Sequence, residues 1–240
     1  FHACFKAELD TLMTRAGHRL AYLTLPKVRS VAEICTASTL CQQYEARLGL
    51  TTPVPFQVLI ESPAALAEVH AIAAHPRVQA LCFGLMDYVS SFEGAIGADA
   101  LHGARQFEHP LLARALTDIS LAAHAHGKVA HSVTLAIGDG TAAGEDALRA
   151  ARDFGYQRKW SIHPRQVEPI IAAFQPPAQD VRRAGEILLA AQAADWGPVR
   201  HADELHDRAS YRYWWHVLQQ AWRTGVPLSP DVKAAFFGNA

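Results

Sequence analysis

Two carboxylates occupy equivalent places on this chain and give its clearest chemical signal. Glu61 closes the apolar run Pro55-Phe-Gln-Val-Leu-Ile-Glu-Ser62, and Asp87 closes the run Val78-Gln-Ala-Leu-Cys-Phe-Gly-Leu-Met-Asp-Tyr88. Each run is typical of a β-strand followed by a loop or a helix start. In a parallel α/β fold both acids would project from the carboxyl-terminal edge of the sheet, where such folds carry out chemistry. We predict that Glu61 and Asp87 form one metal site.

Strand-like runs alternate with helical patterns and predict the elements that position these acids. The strand-like runs cover 20–28, 55–61, 78–87, 128–137 and 158–164, and the helical patterns between and after them cover 31–48, 63–72, 110–126, 145–154 and 166–174. This order predicts a parallel sheet with right-handed crossovers, either a doubly wound sheet or a barrel. A closed (β/α)₈ barrel needs eight strands, so the barrel interpretation places about three strands upstream of Phe1.

Beyond Gln175-Pro-Pro177 the pattern changes to helices only. An amphipathic segment over 181–194 ends at Trp196-Gly-Pro198 and is followed by an aromatic stripe at helical spacing. We expect this stripe to be buried against the barrel or a neighbouring subunit; its members are Tyr211, Trp214, Trp215, Leu218 and Trp222. The sequence therefore predicts a partial barrel as the catalytic domain over 1–175 and a helical extension or lid over 176–240.

Composition and charge restrict the class of protein. The 240 residues are 50% hydrophobic, and 22 Lys and Arg nearly balance 23 Asp and Glu. This balance offers no electrostatic field for nucleic acid or an anionic membrane, and no apolar run approaches the roughly 18 residues of a membrane span. Neither a Gly-x-Gly-x-x-Gly nor a P-loop motif is present, which disfavours nucleotide-binding folds. Four cysteines without a Cys-x-x-Cys pair favour reduced thiols and a cytoplasmic protein.

Four segments between residues 20 and 175 carry a family resemblance. They are Leu25-Pro-Lys-Val28, Leu59-Ile-Glu-Ser-Pro63, Phe83-Gly-Leu-Met-Asp-Tyr88 and Gly155-Tyr-Gln-Arg-Lys-Trp-Ser-Ile-His-Pro-Arg-Gln-Val167. Together they resemble the citrate lyase beta-subunit-like enzymes of the HpcH/HpaI aldolase superfamily, which includes malyl-CoA lyases. The last segment is the most specific of the four. The resemblance implies a TIM barrel and a carbon–carbon lyase that acts on a coenzyme A or related thioester.

For the two acids, the resemblance implies a magnesium ion held by Glu61 and Asp87, with Glu61 also contacting the substrate. The chemistry gives an independent reason, because cleaving a carbon–carbon bond beta to a carbonyl leaves an enolate that a divalent cation stabilises as a Lewis acid. Magnesium prefers oxygen ligands and commonly takes only one or two protein carboxylates. Many relatives carry an acid just before the aspartate, where this chain has Met86.

Other residues receive roles from the same resemblance. Lys159, His163 and Pro164 are candidates for contact with the cofactor; the alternatives are a salt-bridged lysine at the rim and a histidine that bonds its own loop. In malyl-CoA-type relatives a carboxylate on a C-terminal lid, supplied by the adjacent subunit, acts as acid or base, and Asp207 is the candidate by position. Lys27 is a further candidate for contact with phosphate or carboxylate groups, and the alternative for it is a solvated or salt-bridged lysine at the rim. Relatives supply a substrate-gripping arginine from the part upstream of Phe1.

Three functions remain open at this level. The first is a magnesium-dependent lyase, or the reverse condensation, acting on a short hydroxy-acyl thioester as a homotrimer or homohexamer. The second is a pyruvate-type aldolase acting on free 2-keto acids. The third is a non-catalytic relative that serves assembly, an alternative that Met86 keeps open. The expected partner is in each enzymatic case a small molecule rather than nucleic acid or a membrane.

Overall fold

A parallel sheet organises the first part of the chain. The computed structural model describes residues 2–132 and 140–238, which form two units, Phe1–Ile170 and Ile171–Ala240. The sheet belongs to the first unit and its strands are β1 (Leu23–Leu25), β2 (Phe56–Ile60), β3 (Val78–Phe83), β4 (Val129–Ser132) and β5 (Arg158–Lys159).

The strand order distinguishes between the two predicted architectures. The order is β1-β2-β3-β4-β5 and each neighbouring pair is parallel. A doubly wound sheet reverses its order at a switch point, whereas this order advances in one direction, as in a barrel. The five predicted strands are confirmed, each shorter than its apolar run; the part of the fourth run over 133–137 lies outside the described residues. Among the described strands β1 and β5 are free edges, so they do not close a barrel.

Helices connect the strands. In chain order they are α1 (Phe5–Ala16), α2 (Val31–Leu48), α3 (Pro63–Ala67), α4 (Val69–Ala74), α5 (Leu85–Ser90), α6 (Arg105–Glu108), α7 (Pro110–Ala125), α8 (Gly140–Phe154) and α9 (Val167–Phe174). Short 3₁₀ turns cover Gly17–Arg19, Ala98–Leu101 and Pro164–Gln166. None of the helices within 2–132 and 140–238 combines the length and the apolar character that crossing a bilayer requires.

The helix predicted over 63–72 is two helices. Ser62 begins α3 as its N-cap, because its side chain accepts a hydrogen bond from the Ala65 N–H at 3.2 Å. The helix then breaks at Glu68. The carboxylate of Glu68 accepts a hydrogen bond from the Val31 N–H at 2.8 Å, so it satisfies one of the unpaired N–H groups at the start of α2.

Apolar side chains between the sheet and its helices fix where β2 and β3 end. Val58 and Ile60 are fully buried, and the strand register sets them beside Leu81 and Phe83 of β3. Burying side chains of this size contributes roughly 1.5–3 kcal/mol each. The last core residue of β2 is Ile60, so Glu61 begins at the edge of this core.

A buried ion pair holds the opposite edge of the sheet, where β2 and β3 begin. Arg77 Nη1 and Nη2 donate to Glu45 Oε1 and Oε2 at 2.7 and 2.6 Å, and Arg77 Nη1 also donates to the Val54 carbonyl at 3.1 Å. Glu45 Oε1 in turn accepts a hydrogen bond from the Val54 N–H at 2.8 Å. The guanidinium lowers the pKa of Glu45. This pair ties α2 to the entry of both strands.

The second unit is not purely helical, and the prediction of helices only is wrong. Its helices are α10 (Ala178–Ala193), α11 (Arg208–Thr224) and α12 (Pro230–Phe236), but β6 (Val199–His201) and β7 (Glu204–His206) form an antiparallel hairpin between α10 and α11. The turn residues Ala202 and Asp203 both have positive φ, 45° and 63°. Such hairpin turns normally carry glycine, so this sequence gives no turn signal.

The aromatic stripe lies on α11 and packs within the second unit. Tyr211, Trp214 and Leu218 are buried in a cluster with apolar residues of α10 and α12. Trp222 is 42% exposed and stacks on Phe237 with ring centroids 5.0 Å apart. The expected burial is therefore right for Tyr211, Trp214 and Leu218. These side chains pack against α10 and α12 of the same unit.

Candidate active site

Glu61 and Asp87 come from the ends of neighbouring elements at one edge of the sheet. Glu61 follows the last residue of β2 and is 6% exposed. Asp87 lies in the first turn of α5, because β3 already ends at Phe83 and Gly84 turns the chain into a short helix. The expected position at a strand end is therefore wrong for Asp87, although it remains at the same edge of the sheet.

Lys27, in the loop after β1, contacts both acids. Its main-chain N–H donates a hydrogen bond to Glu61 Oε1, and its Nζ donates to Asp87 Oδ1 at 2.6 Å. Lys27 has φ 55°, in the left-handed region that non-glycine residues seldom adopt. One residue with an unusual backbone conformation thus connects the carboxylates that follow β2 and β3.

Gly84 makes room for Glu61. A Cβ atom at this position would lie 2.6 Å from Glu61 Oε2 and 2.6 Å from Glu61 Cβ, closer than atoms pack without displacement. The main-chain N–H of Gly84 donates to the Ile60 carbonyl at 3.0 Å, which keeps the two strand ends together. No role for Gly84 was predicted from the sequence. The one feature that could have indicated a role is its position between the strand β3 and Asp87.

Burial and charge shift the pKa values of this site. Burial raises the pKa of Glu61, the hydrogen bond from the Lys27 N–H opposes that rise, and the nearby charge of Asp87 adds to it. The hydrogen bond and charge of Asp87 raise the pKa of Lys27. A carboxylate whose ionised form is disfavoured by burial and by a neighbouring carboxylate is stabilised by a bound cation.

The donor set fits a hard divalent cation. The described part of the chain contains no group of three or more His, Cys, Asp or Glu side chains arranged around a metal position, so the candidate donors are the two carboxylates. Magnesium commonly takes one or two carboxylates and completes its shell with water and substrate. Glu61, fixed by Lys27 and Gly84, and Asp87, which is half exposed, offer such a pair.

Lys159 lies at the end of β5, and its side chain is buried. It is 9% exposed, and burial lowers its pKa to about 8, an effect that the charge of Asp146 on α8 opposes. Asp146 also accepts a hydrogen bond from Gln106 Nε2 at 3.0 Å. Lys159 is therefore a buried lysine under the influence of the Asp146 charge, rather than a solvated lysine at the rim.

His163 and Pro164 form the turn after β5, and Asp207 begins α11 in the second unit. His163 Nδ1 accepts a hydrogen bond from the Arg165 N–H at 3.2 Å, so it caps the 3₁₀ turn that Pro164 opens. Asp207 is exposed, and its Oδ1 accepts from the Ala209 N–H at 2.9 Å as part of a capping box. Both side chains thus have a local structural role.

Comparison with known sequences places this geometry in a family. The sequence profile of the HpcH/HpaI aldolase/citrate lyase family matches residues 6–164, more than half of the chain. The chain belongs to this family. The matched range includes Lys27, Glu61, Gly84, Asp87 and Lys159, and Asp207 lies outside it.

Individual members of the HpcH/HpaI family extend the match into the second unit. The L-malyl-CoA/beta-methylmalyl-CoA lyase of Cereibacter sphaeroides (strain ATCC 17025 / ATH 2.4.3) is 31% identical over 230 residues, 89% of this chain and 71% of that protein. A citrate lyase structure from Burkholderia xenovorans LB400 is 44% identical, covers 98% of this chain and 74% of its own, and has a TM-score of 0.87. These relatives indicate a carbon–carbon lyase.

A more distant family structure shares the fold. It is the CitE protein of Mycobacterium tuberculosis in complex with magnesium, acetoacetate and coenzyme A, which is 22% identical with a TM-score of 0.69 over 92% of this chain and 74% of its own. This likeness shows a shared α/β fold, while the ligands of that complex belong to that protein.

Proposed function

We propose that this chain is a magnesium-dependent carbon–carbon lyase that cleaves, or forms, a short hydroxy-acyl thioester of coenzyme A. The observation that carries the proposal is the joining of Glu61 and Asp87 by Lys27 at one edge of a parallel sheet. The similarity to an L-malyl-CoA lyase supports a thioester substrate. The M. tuberculosis relative was solved with the ligands proposed here, magnesium and coenzyme A.

Glu61 and Asp87 are the proposed cation ligands, and Glu61 also contacts the substrate. A divalent cation held there supplies Lewis-acid stabilisation of the negative charge that develops on the thioester carbonyl. Lys27 and Gly84 orient Glu61, because the N–H of Lys27 binds one carboxylate oxygen and the missing side chain of Gly84 leaves space for the other. Fixed orientation of this kind avoids reorganisation during the reaction.

The reaction also needs a group that moves a proton. In the cleavage direction the bond between the hydroxyl-bearing carbon and the carbon alpha to the thioester breaks, the hydroxyl proton leaves to a base, and the alpha carbon takes up a proton. We propose that Asp207 of an adjacent subunit moves the proton, with its carboxylate exposed at the start of α11. Its capping hydrogen bond uses Oδ1, at 2.9 Å from the Ala209 nitrogen.

Contact with coenzyme A is assigned to the turn after β5. Pro164 is exposed and His163 partly so, at the edge of the sheet that carries Glu61 and Asp87. Lys159, the third candidate, is buried, so we assign it to holding the end of β5 in place for that contact. The working form is proposed to be a closed TIM barrel in a homotrimer or homohexamer.

Enolate chemistry on a thioester is testable without knowledge of the second substrate. The full protein is incubated with acetyl-CoA in deuterated buffer, with and without magnesium, and loss of the methyl proton signal is followed by NMR. We expect exchange that requires magnesium and that Asp87→Asn abolishes. Asp10→Asn is the matched control. Asp10 lies on α1 and, like Asp87, is an exposed aspartate paired with a basic residue, in this case Arg47 at 3.2 Å.

The outcomes separate the proposed function from its alternatives. Exchange of pyruvate instead of acetyl-CoA would replace the thioester lyase with an aldolase for free keto acids. Absence of exchange with both compounds would favour the non-catalytic relative. Slower exchange in Asp207→Asn, with unchanged cation affinity, is expected if Asp207 moves the proton.

A further inference from the structure

We propose that Lys27 is an exchangeable counter-ion of the cation site: its ammonium pairs with Asp87 in the metal-free protein and is displaced when a divalent cation binds. The inference rests on the proposed function, because it takes Glu61 and Asp87 as the cation ligands. It adds a role for a residue whose sequence pattern predicted only a general contact with phosphate or carboxylate groups.

The two contacts of Lys27 are made by different parts of the residue. The main-chain N–H binds Glu61 Oε1 and stays in place whatever the side chain does. The side chain alone binds Asp87, with Nζ 2.6 Å from Oδ1. The ammonium can therefore leave Asp87 without releasing Glu61.

Exposure shows which ion pairs can exchange a partner. The Lys27 and Asp87 side chains are 72% and 49% exposed, so the lysine can move into solvent without repacking the core. The Arg77 and Glu45 side chains are 7% and 8% exposed, and separating them would leave a charge buried. Of these two pairs, only the one at the acid site can be exchanged at low cost.

The charge balance gives the direction of the effect. With its ammonium in place, the group formed by Lys27, Glu61 and Asp87 carries one net negative charge when both acids are ionised; without it, the group carries two. An exposed ion pair is weak, so its removal changes an equilibrium constant by at most about fivefold. Removing the ammonium should therefore tighten cation binding, by up to about fivefold.

Manganese binding to the full protein measures this effect directly. Free Mn²⁺ is followed by its EPR signal at low ionic strength, without substrate, for the wild type, Lys27→Met and Lys6→Met. The variant keeps the main-chain N–H that binds Glu61. Because methionine is unbranched at Cβ like lysine, it adds no crowding to the backbone of residue 27, whose φ is 55°. Lys6 is an exposed lysine on α1 and serves as the matched charge control. Asp87→Asn identifies the binding that belongs to this site.

Three results are distinguishable. Tighter Mn²⁺ binding in Lys27→Met but not in Lys6→Met, with the difference shrinking as salt is added, supports the exchange. Equal or weaker binding in Lys27→Met, alongside measurable Asp87-dependent binding in the wild type, overturns the inference and leaves the metal site standing. Absence of Asp87-dependent binding in the wild type overturns the metal site, and with it this inference.

Discussion

At the scale of single residues, the space beside Gly84 controls the orientation of Glu61. We expect Gly84→Ala to displace Glu61, because the new Cβ would lie 2.6 Å from Oε2 of that carboxylate. Displacement of a reacting group by about 1 Å can cost on the order of 10²-fold in rate. Turnover and Mn²⁺ affinity of the variant should both fall. Its thermal unfolding temperature should fall as well, because the new Cβ also meets Cβ of the buried Glu61 at 2.6 Å.

Gly94→Ala is the matched control for this residue. Gly94 has φ 88°, and a Cβ added there would have no neighbouring atom within 4 Å, so alanine strains the backbone by roughly 1 kcal/mol without touching Glu61. Loss of stability with retained activity is expected in this variant. If Gly84→Ala behaved in the same way, close approach to Glu61 would not be the reason for the glycine.

The acids of the site were predictable from sequence, and the residues that arrange them were not. Glu61 and Asp87 follow apolar runs, a local pattern that a sequence displays directly. Lys27 contacts Asp87 across 60 positions of the chain, and the need for Gly84 arises from a neighbouring strand. Such long-range contacts leave no periodic signal, which explains why Gly84 was missed and Lys27 was placed only in general terms.

At the scale of elements, the ion pair between Arg77 and Glu45 joins α2 to the start of β2 and β3. Arg77→Met is expected to lower the free energy of unfolding by about 3–5 kcal/mol, because it leaves a buried carboxylate without its partner. Urea-induced unfolding followed by circular dichroism measures the change. Arg47→Met is the control: its pair with Asp10 is exposed, 57% and 52%, and should contribute less than about 1 kcal/mol.

The same pair gives a pH dependence with a defined sign. Arg77 lowers the pKa of Glu45 below its ordinary value of 4.5 in the folded protein. The stabilisation is therefore complete above that ordinary value and is lost as pH falls through the folded pKa. The difference in unfolding free energy between the wild type and Arg77→Met should shrink below pH 4.5; a difference that stayed constant would argue against this ion pair.

Strands that lie within longer apolar runs were predictable. The strands β1 to β4 follow from such runs, since strands covered by helices read as continuous hydrophobic segments, whereas β5 is only Arg158–Lys159 and was placed by the segment 158–164. Helix α5 and the hairpin strands β6 and β7 are short and have no such run of their own, so no period could be established. The missed α5 is also the reason that Asp87 was assigned to a strand end.

At the scale of the whole molecule, the order of the strands distinguishes the two architectures that the sequence left open. A sheet that advances from β1 to β5 in one direction, with helices between its strands, is the arrangement of a barrel segment rather than of a doubly wound sheet. Alternation of elements in the sequence predicted the parallel sheet but left both architectures open, because alternation alone does not fix which strands are neighbours. Strand order is a tertiary property.

Exposed apolar side chains of the second unit are candidates for the interface of the proposed oligomer. Leu205 is 73% exposed and Tyr213 58%, and large exposed apolar side chains occur at interaction surfaces. We expect light scattering after gel filtration to give three or six times the mass of one chain, and Tyr213→Asp to shift the distribution toward monomer. Leu12→Asp, which changes a residue 46% exposed on α1, should leave it unaffected. A monomeric wild type would contradict the assembly, and equal effects of both variants would place the interface elsewhere.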